Sequence, residues 1–224
     1  MQSNYQDLQS LLAQARRSVA DDRFIWCCAS DTFESTITVR RGMLLGGALS
    51  PHFLRDTDNM WSNTPWTVRL ERCRVAVCST PAAQEPLQSW VPVLEGAVKA
   101  GESFLVIAEA MGSEMIRTLA VNLLKGTLGV CAVKPARTRY GQLEPGIESL
   151  GMPAQEVPAR PDKLPLVPEV WIRRTAAVIF PALTDTAPDR SSLRDFAIIE
   201  TGGENHEDQY DRLRWLMREL QKPA

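Results

Sequence analysis

The stretch from Leu87 to Val133, LQSWVPVLEGAVKAGESFLVIAEAMGSEMIRTLAVNLLKGTLGVCAV, alternates between two hydrophobic patterns. Its first part has apolar residues at three- and four-residue spacing, which is typical of an amphipathic helix; these are Leu87, Trp90, Val91, Leu94 and Val98. Phe104–Ala108 (FLVIA) is instead a continuous apolar run, as expected for a strand covered on both faces. The stretch predicts helix, strand, helix and strand, with the second helix from about Glu114 to Lys125 and the second strand at Val130–Val133.

Stop and start signals separate these elements. Gly101 lies where a helix C-terminus favours a residue that can adopt left-handed backbone, and Gly126 ends the second helix. Gly112 and Ser113 provide an N-cap between them. Parallel strands joined by a helix require a right-handed crossover, which places the helices on a face of the sheet. The pattern therefore predicts an α/β fold.

Both predicted helices carry more apolar surface than one core-facing row requires. The additional row of the first helix is Val91, Leu94 and Val98, and that of the second is Ile116, Ala120 and Val121. Two such helices side by side would form an apolar groove. A third layer of structure or a subunit interface would use the same surplus, so the pattern alone leaves the three interpretations open.

Several segments in and around this stretch resemble the apical domain of the group I (GroEL-like) chaperonins. They are GMLLGGALSPHF, VPVLEGAVKAG, LVIAE, TLAVNLLKGTLGVCAVK and DFAIIETGG, in the order in which the family has them. The resemblance covers roughly Arg41–Lys134 and Thr186–Gly203. It implies an α/β fold with an apical-domain-like βαβαβ core and flanking β-strands, plus a small helical intermediate-like subdomain formed by the two termini.

The resemblance also implies a peptide-binding groove. Its residues in this sequence are Phe53, Val91, Leu94, Val98, Glu114, Ile116, Ala120, Val121, Asn122 and Lys125. The chain departs from the family at Ala48 and His52, where tyrosines are expected, and is one residue shorter there. We therefore expect a shallower, slightly more polar groove, with His52 as a rim residue rather than a catalytic base.

The predicted organisation has two parts. Residues 1–40 and 204–224 form the intermediate-domain-like subdomain, and residues 41–203 form the apical-like domain with a proline-rich insertion at about 135–174. Helices at residues 5–20 and near the C-terminus are expected to pack together, with Trp215 covering their seam. Phe24–Ala29 and Thr36–Val39 are predicted strands around a polar turn, for which a hairpin local to this protein is the alternative. The insertion is expected to be exposed chain, or else a flap over the groove or a partner contact.

Composition excludes several classes of protein. The chain of 224 residues has a formal net charge of −2, whereas nucleic-acid binders usually have a basic excess. No segment is apolar enough to suggest a membrane span, and the N-terminus does not resemble a secretion signal. Five cysteines without a CxxC pair indicate a reducing, cytoplasmic compartment, and the spacing of cysteine and histidine supports no metal site.

The sequence offers no catalytic motif and no cofactor site. GxSxG, HExxH, a P-loop and a DGTTT-type run are all missing, and Glu109 is a lone carboxylate at a strand end. We expect a non-enzymatic, ATP-independent module that binds an unfolded or extended polypeptide client or a specific protein partner, such as a chaperonin or co-chaperonin. The alternative is a structural or adaptor component of a larger assembly whose groove is covered.

Overall fold

The computed structural model describes residues 5–30, 32–49, 53, 68–78, 86–136, 162, 164–173, 175–181 and 193–222. The helices are α1 (Gln6–Ser18), α2 (Leu87–Ala100), α3 (Ser113–Leu124) and α4 (His206–Leu220). The strands are β1 (Ile25–Ala29), β2 (Thr36–Leu49), β3 (Val68–Cys78), β4 (Ser103–Ala108), β5 (Val130–Pro135), β6 (Leu166–Ile172), β7 (Ala176–Phe180) and β8 (Arg194–Thr201). The predicted mixed α/β fold is confirmed.

The chain divides into two compact units. Unit 1 contains the described parts of 1–42 and 194–224, and unit 2 contains those of 43–58 and 67–193. The division differs from the predicted boundaries because β8, within the expected 41–203 domain, belongs to unit 1 with the terminal segments.

Unit 1 is built on three strands with β8 in the centre. β1 pairs with β8 in parallel, from Ile25 opposite Ala197, and the first half of β2 pairs with β8 in antiparallel fashion, Thr36 opposite Glu200. β1 and β2 therefore do not form a hairpin, although they are consecutive in sequence. The local-hairpin alternative is wrong, because a strand from the other end of the chain lies between them.

The terminal helices cover this sheet. Their apolar rows and the inward side chains of β1 and β8 form one cluster, made of Leu8, Leu12, Ala15, Ile25, Cys27, Ala197, Ile199, Leu213 and Leu216. The rings of Tyr5 and Trp215 stack with centroids 5.4 Å apart, and Arg212 forms an ion pair with Asp7. The predicted packing of the two terminal helices, with Trp215 at their seam, is confirmed.

Unit 2 contains the predicted βαβαβ run. β3 pairs in parallel with β4, and β4 in parallel with β5, with α2 and α3 as the connecting helices. The antiparallel pairs β3–β6, β6–β7, β7–β2 and β2–β5 then close the six strands into a ring. Gly47 permits the closure, because a Cβ at this position would lie 2.4 Å from the carbonyl oxygen of Lys134 on β5.

The end of the proline-rich stretch is a core strand rather than exposed chain. β6 places Val167, Val170, Trp171 and Ile172 in the interior, and residues 137–161 lie outside the described part. Pro168 lies opposite Arg72, and this is the one position within the β3–β6 register at which the two strands form no pair. A proline cannot donate a ladder hydrogen bond, so it is tolerated there. β7 pairs with β6 on one side and with β2 on the other, and so closes the ring.

No helix within the described residues has the length and apolarity that a membrane span requires. The five cysteines all lie among those residues and are free thiols.

Truncation of Leu216 tests the packing of the terminal helices. Leu216 is fully buried in the unit 1 cluster, so Leu216→Ala is expected to lower the free energy of unfolding by about 2–5 kcal/mol. Val39→Ala, at a residue that is 49% exposed, is the control and should cost less than about 0.5 kcal/mol. Urea denaturation followed by far-ultraviolet circular dichroism measures both. Equal losses would contradict the packing described here.

Candidate functional site

α2 buries one face and exposes another. Its buried row is Trp90, Val93, Leu94 and Ala97, spaced so that the four side chains share one side of the helix. Val91 and Val98, two turns apart, lie on a different side and are 38% and 43% exposed. Of the three residues predicted for the additional row, Leu94 thus belongs to the core-facing side, and the two valines remain accessible.

α3 has the same arrangement. Met115, Leu119 and Ala120 are buried, while Val121 and Leu124 are 46% and 48% exposed. Ile116 is half-buried between these two sides. Leu124 was missed by the sequence analysis, although its position three residues after Val121 was a usable signal.

The topology places these two helices side by side. α2 connects β3 to β4 and α3 connects β4 to β5, and the three strands are neighbours in that order. Since both crossovers are expected to be right-handed, the helices lie on one face of the sheet. We call the exposed large aliphatic residues of the two helices the aliphatic strip; they are Val91, Val98, Val121 and Leu124.

The remaining predicted residues differ in accessibility. Phe53 is buried, with 1% of its surface exposed, so it contributes to the interior of unit 2. Glu114 and Lys125 are exposed at the two ends of α3, and Asn122 is half-buried with its Nδ2 donating to the carbonyl oxygen of Thr118 at 2.9 Å. His52 and the side chain of Ala48 lie outside the described residues.

The C-terminus of α2 is fixed to the sheet by a short turn. Gly101 has φ 63°, the left-handed conformation predicted for it, and its N–H donates to the carbonyl oxygen of Val98 at 3.1 Å. The N–H of Glu102 donates to the carbonyl oxygen of Ala97 at 2.9 Å. The exposed end of the α2 row, Val98, is therefore held by a defined backbone turn.

The side chain of Glu102 ties this turn to β3. Arg74 donates to its two carboxylate oxygens from Nε at 2.7 Å and from Nη2 at 3.0 Å, and its Nη1 donates to the carbonyl oxygen of Leu164 at 2.6 Å. The hydrogen bonds from Arg74 hold the pKa of Glu102 below its usual value of 4.5, and the nearby charge of Arg72 adds to the effect. This pair fixes the position of α2 over the strands.

The described residues contain no group of three or more histidine, cysteine, aspartate or glutamate side chains that could hold a metal ion. Glu109 is half-buried just after β4. Burial raises the pKa of Cys78 to about 12 and that of Cys73 well above its usual value, so neither thiol has the character of a nucleophile.

The sequence of the chain is similar to those of known chaperonins. The chain is 35% identical over 129 residues to chaperonin GroEL of Onion yellows phytoplasma (strain OY-M), and equally to that of Aster yellows witches'-broom phytoplasma (strain AYWB). It is 36% identical over 132 residues to chaperonin GroEL 5 of Bradyrhizobium diazoefficiens. The chain contains a segment homologous to the GroEL chaperonins. The resemblance inferred from sequence motifs is thereby confirmed.

The homology covers only part of both proteins. The matched region is 57% of this chain and 23% of each phytoplasma GroEL, so the chain spans about a quarter of the length of the curated relatives it matches. No protein-family profile matches the chain. What whole GroEL proteins do is therefore not transferred directly to it.

Removal of the Glu102 charge tests the anchoring of α2. Glu102→Gln is expected to lower the free energy of unfolding at pH 7 by about 2 kcal/mol, because charge-assisted hydrogen bonds from Arg74 are lost. Since the pKa of Glu102 is depressed in the folded state, its stabilisation is present above about pH 4.5 and disappears as the pH falls through the folded-state value. The difference between wild type and variant should therefore narrow below pH 4.5.

The control is Glu95→Gln. Glu95 pairs with Lys99 at 3.8 Å on the exposed side of α2, and such a pair contributes only about 0.3–0.5 kcal/mol. Urea denaturation between pH 3 and pH 7 gives both comparisons. A difference for Glu102→Gln that stays constant over this range would show that the carboxylate charge does not contribute.

Proposed function

We propose that this chain is a non-enzymatic, ATP-independent polypeptide-binding module that resembles a chaperonin apical domain and holds or recruits a protein client through the aliphatic strip. The observation that carries the proposal is the exposure of the strip: four aliphatic side chains of α2 and α3 are 38–48% exposed. The homology to GroEL chaperonins supports it, because α2 and α3 contain the apical-domain motifs recognised in the sequence.

Burial of apolar surface would supply the binding energy. Covering the strip removes its side chains from water, at roughly 25 cal/mol for each Å² of apolar area. Leu94 and Ala120, which are buried, form the floor on which a client side chain would rest, with Ile116 half-buried beside them. Phe53 is buried and has no direct contact with the client in this proposal.

Polar groups around the strip would orient the client. Glu114 and Lys125 are exposed and carry opposite charges at the two ends of α3. They would pair with side chains or terminal groups of an extended chain, and Asn122 would contact its backbone. In this proposal unit 2 is the apical-like domain and unit 1 the intermediate-like subdomain.

The proposed partners are unfolded or extended polypeptides or a specific protein, with a chaperonin or co-chaperonin among the candidates. The free thiols suit a reducing, cytoplasmic compartment, since none of the five cysteines forms a disulfide. ATP-independence is supported by the absence of a phosphate-binding motif from the sequence.

Substitution in the aliphatic strip tests the proposed function. Val98→Asp/Val121→Asp places a charge on each helix at an exposed position, where the fold tolerates it. Loss of two aliphatic contacts of about 0.8 kcal/mol each is expected to weaken binding of a fluorescein-labelled apolar peptide about tenfold. Because the strip alone gives millimolar affinity, fluorescence anisotropy with protein titrated into the millimolar range compares the two affinities from the initial slopes of the binding curves.

The matched control is Val39→Asp, which introduces the same charge at an exposed valine of unit 1. It should leave peptide affinity within twofold of wild type. Equal peptide binding by wild type and the double variant would refute the strip as the binding surface. A single stable higher oligomer in light scattering, with no peptide binding, would instead favour the structural or adaptor role.

A further inference from the structure

Among the described residues of unit 1, Phe33 is the one large aromatic side chain that is strongly exposed. Phe33, between β1 and β2, is 80% exposed, more than any other large hydrophobic residue that the structure describes. The aliphatic strip belongs to unit 2, so Phe33 is not part of the surface proposed above. An aromatic ring at this degree of exposure forms no part of the core, and its surroundings determine what it can contact.

The backbone that carries Phe33 is held closely against the segment after β8. A Cβ on Gly202 would lie 2.3 Å from the carbonyl oxygen of Phe33, so only glycine permits the approach. The Oγ of Ser35 accepts hydrogen bonds from the N–H of Gly202 and from Nη2 of Arg212, both at 3.0 Å. Thr32 Oγ1 donates to the carbonyl oxygen of Glu34 at 3.0 Å. These contacts fix the backbone that carries the ring.

Phe33 lies on the rim of two neighbouring cavities. One has a volume of about 560 Å³ and is lined by Asp7, Phe33, Glu34, Glu204, Asp208 and Arg212, among others. The second, of about 370 Å³, includes Phe33, Asn205, His206 and Gln209. Gly203 is common to both. We call the first of them the Phe33 cleft.

The charge of the Phe33 cleft is strongly unbalanced. Its one cationic side chain, Arg212, is paired with Asp7. Three further carboxylates remain, those of Glu34, Glu204 and Asp208. Asp208 accepts a hydrogen bond from the N–H of Glu204 at 3.1 Å, and no ion pair is recorded for Glu34 or Glu204 within the described residues. The cleft therefore combines an exposed aromatic ring with uncompensated negative charge.

We propose that the Phe33 cleft binds an arginine or lysine side chain of a basic polypeptide segment. The aliphatic stem of such a side chain packs on the Phe33 ring, and its cationic head reaches the carboxylates of Glu34 and Glu204. A guanidinium also stacks on an aromatic face, so arginine is favoured over lysine. A small inorganic cation would use the carboxylates alone and would gain nothing from the exposed ring.

The test uses the full chain and a fluorescein-labelled peptide of alternating arginine and glycine. Phe33→Ala is expected to weaken its binding about three- to fivefold, the value of one exposed cation–π contact. Glu34→Gln/Glu204→Gln should weaken it at least as much. Glu207→Gln is the matched control, because Glu207 is an exposed carboxylate of α4 that lines neither cavity. Its affinity should stay within twofold of wild type.

Three further results distinguish this surface from other sources of binding. The Val98→Asp/Val121→Asp variant should bind the arginine peptide with wild-type affinity, because the aliphatic strip and the Phe33 cleft are separate surfaces. The result of the apolar-peptide experiment therefore does not decide this inference. Equal losses of affinity per charge removed, in Glu207→Gln and in Glu34→Gln/Glu204→Gln, would show that the peptide responds only to the overall negative charge of the protein. This result would overturn the proposal. Unchanged affinity in Phe33→Ala would also overturn it.

Discussion

Parallel pairing of β3, β4 and β5 is the constraint on which unit 2 depends. Each parallel pair needs a crossover, and each crossover helix must bury one row of side chains on the strands. Trp90 and Leu119, both fully buried, meet that requirement in α2 and α3. Once those rows face the sheet, the side chains about a third of a turn away are left in solvent. Exposure of the aliphatic strip is therefore a consequence of strand pairing.

The helices could be predicted from sequence because their signal is local. A period of 3.6 residues located α2 and α3, and Gly101 marked the end of α2 correctly. Helix periodicity did not decide which side chains of each helix face the core. At 100° per residue, Leu94 lies between the two candidate rows of α2. The sheet decides that question, and it buries Leu94 but leaves Val91 accessible.

The strand order could not be predicted, because it depends on contacts between distant residues. β1 and β2 are adjacent in sequence, yet β8 separates them, more than 150 residues away. The ring of unit 2 closes through Met43 opposite Ile179. Prolines also concealed β6. Their density between residues 135 and 174 favoured exposed chain, but the register leaves Pro168 unpaired opposite Arg72, where its missing N–H costs nothing. The Phe33 cleft is of the same kind, since it combines three separate parts of the sequence.

The size of the aliphatic strip limits what it can do alone. A fully buried valine or leucine contributes about 1.5–3 kcal/mol, and the four strip residues have less than half of their surface left to bury. Their sum is about 4 kcal/mol, which corresponds to a millimolar dissociation constant. Micromolar affinity needs roughly 4 kcal/mol more. The resemblance places Ala48 and His52 where the family has tyrosines, so no tyrosine side chain is available at those positions to supply it. A client that binds tightly must therefore make additional contacts. These are either backbone hydrogen bonds beside the strip or contacts at a second, linked site. A second site would raise the affinity through the effective concentration of the linked segment, without any enlargement of the groove.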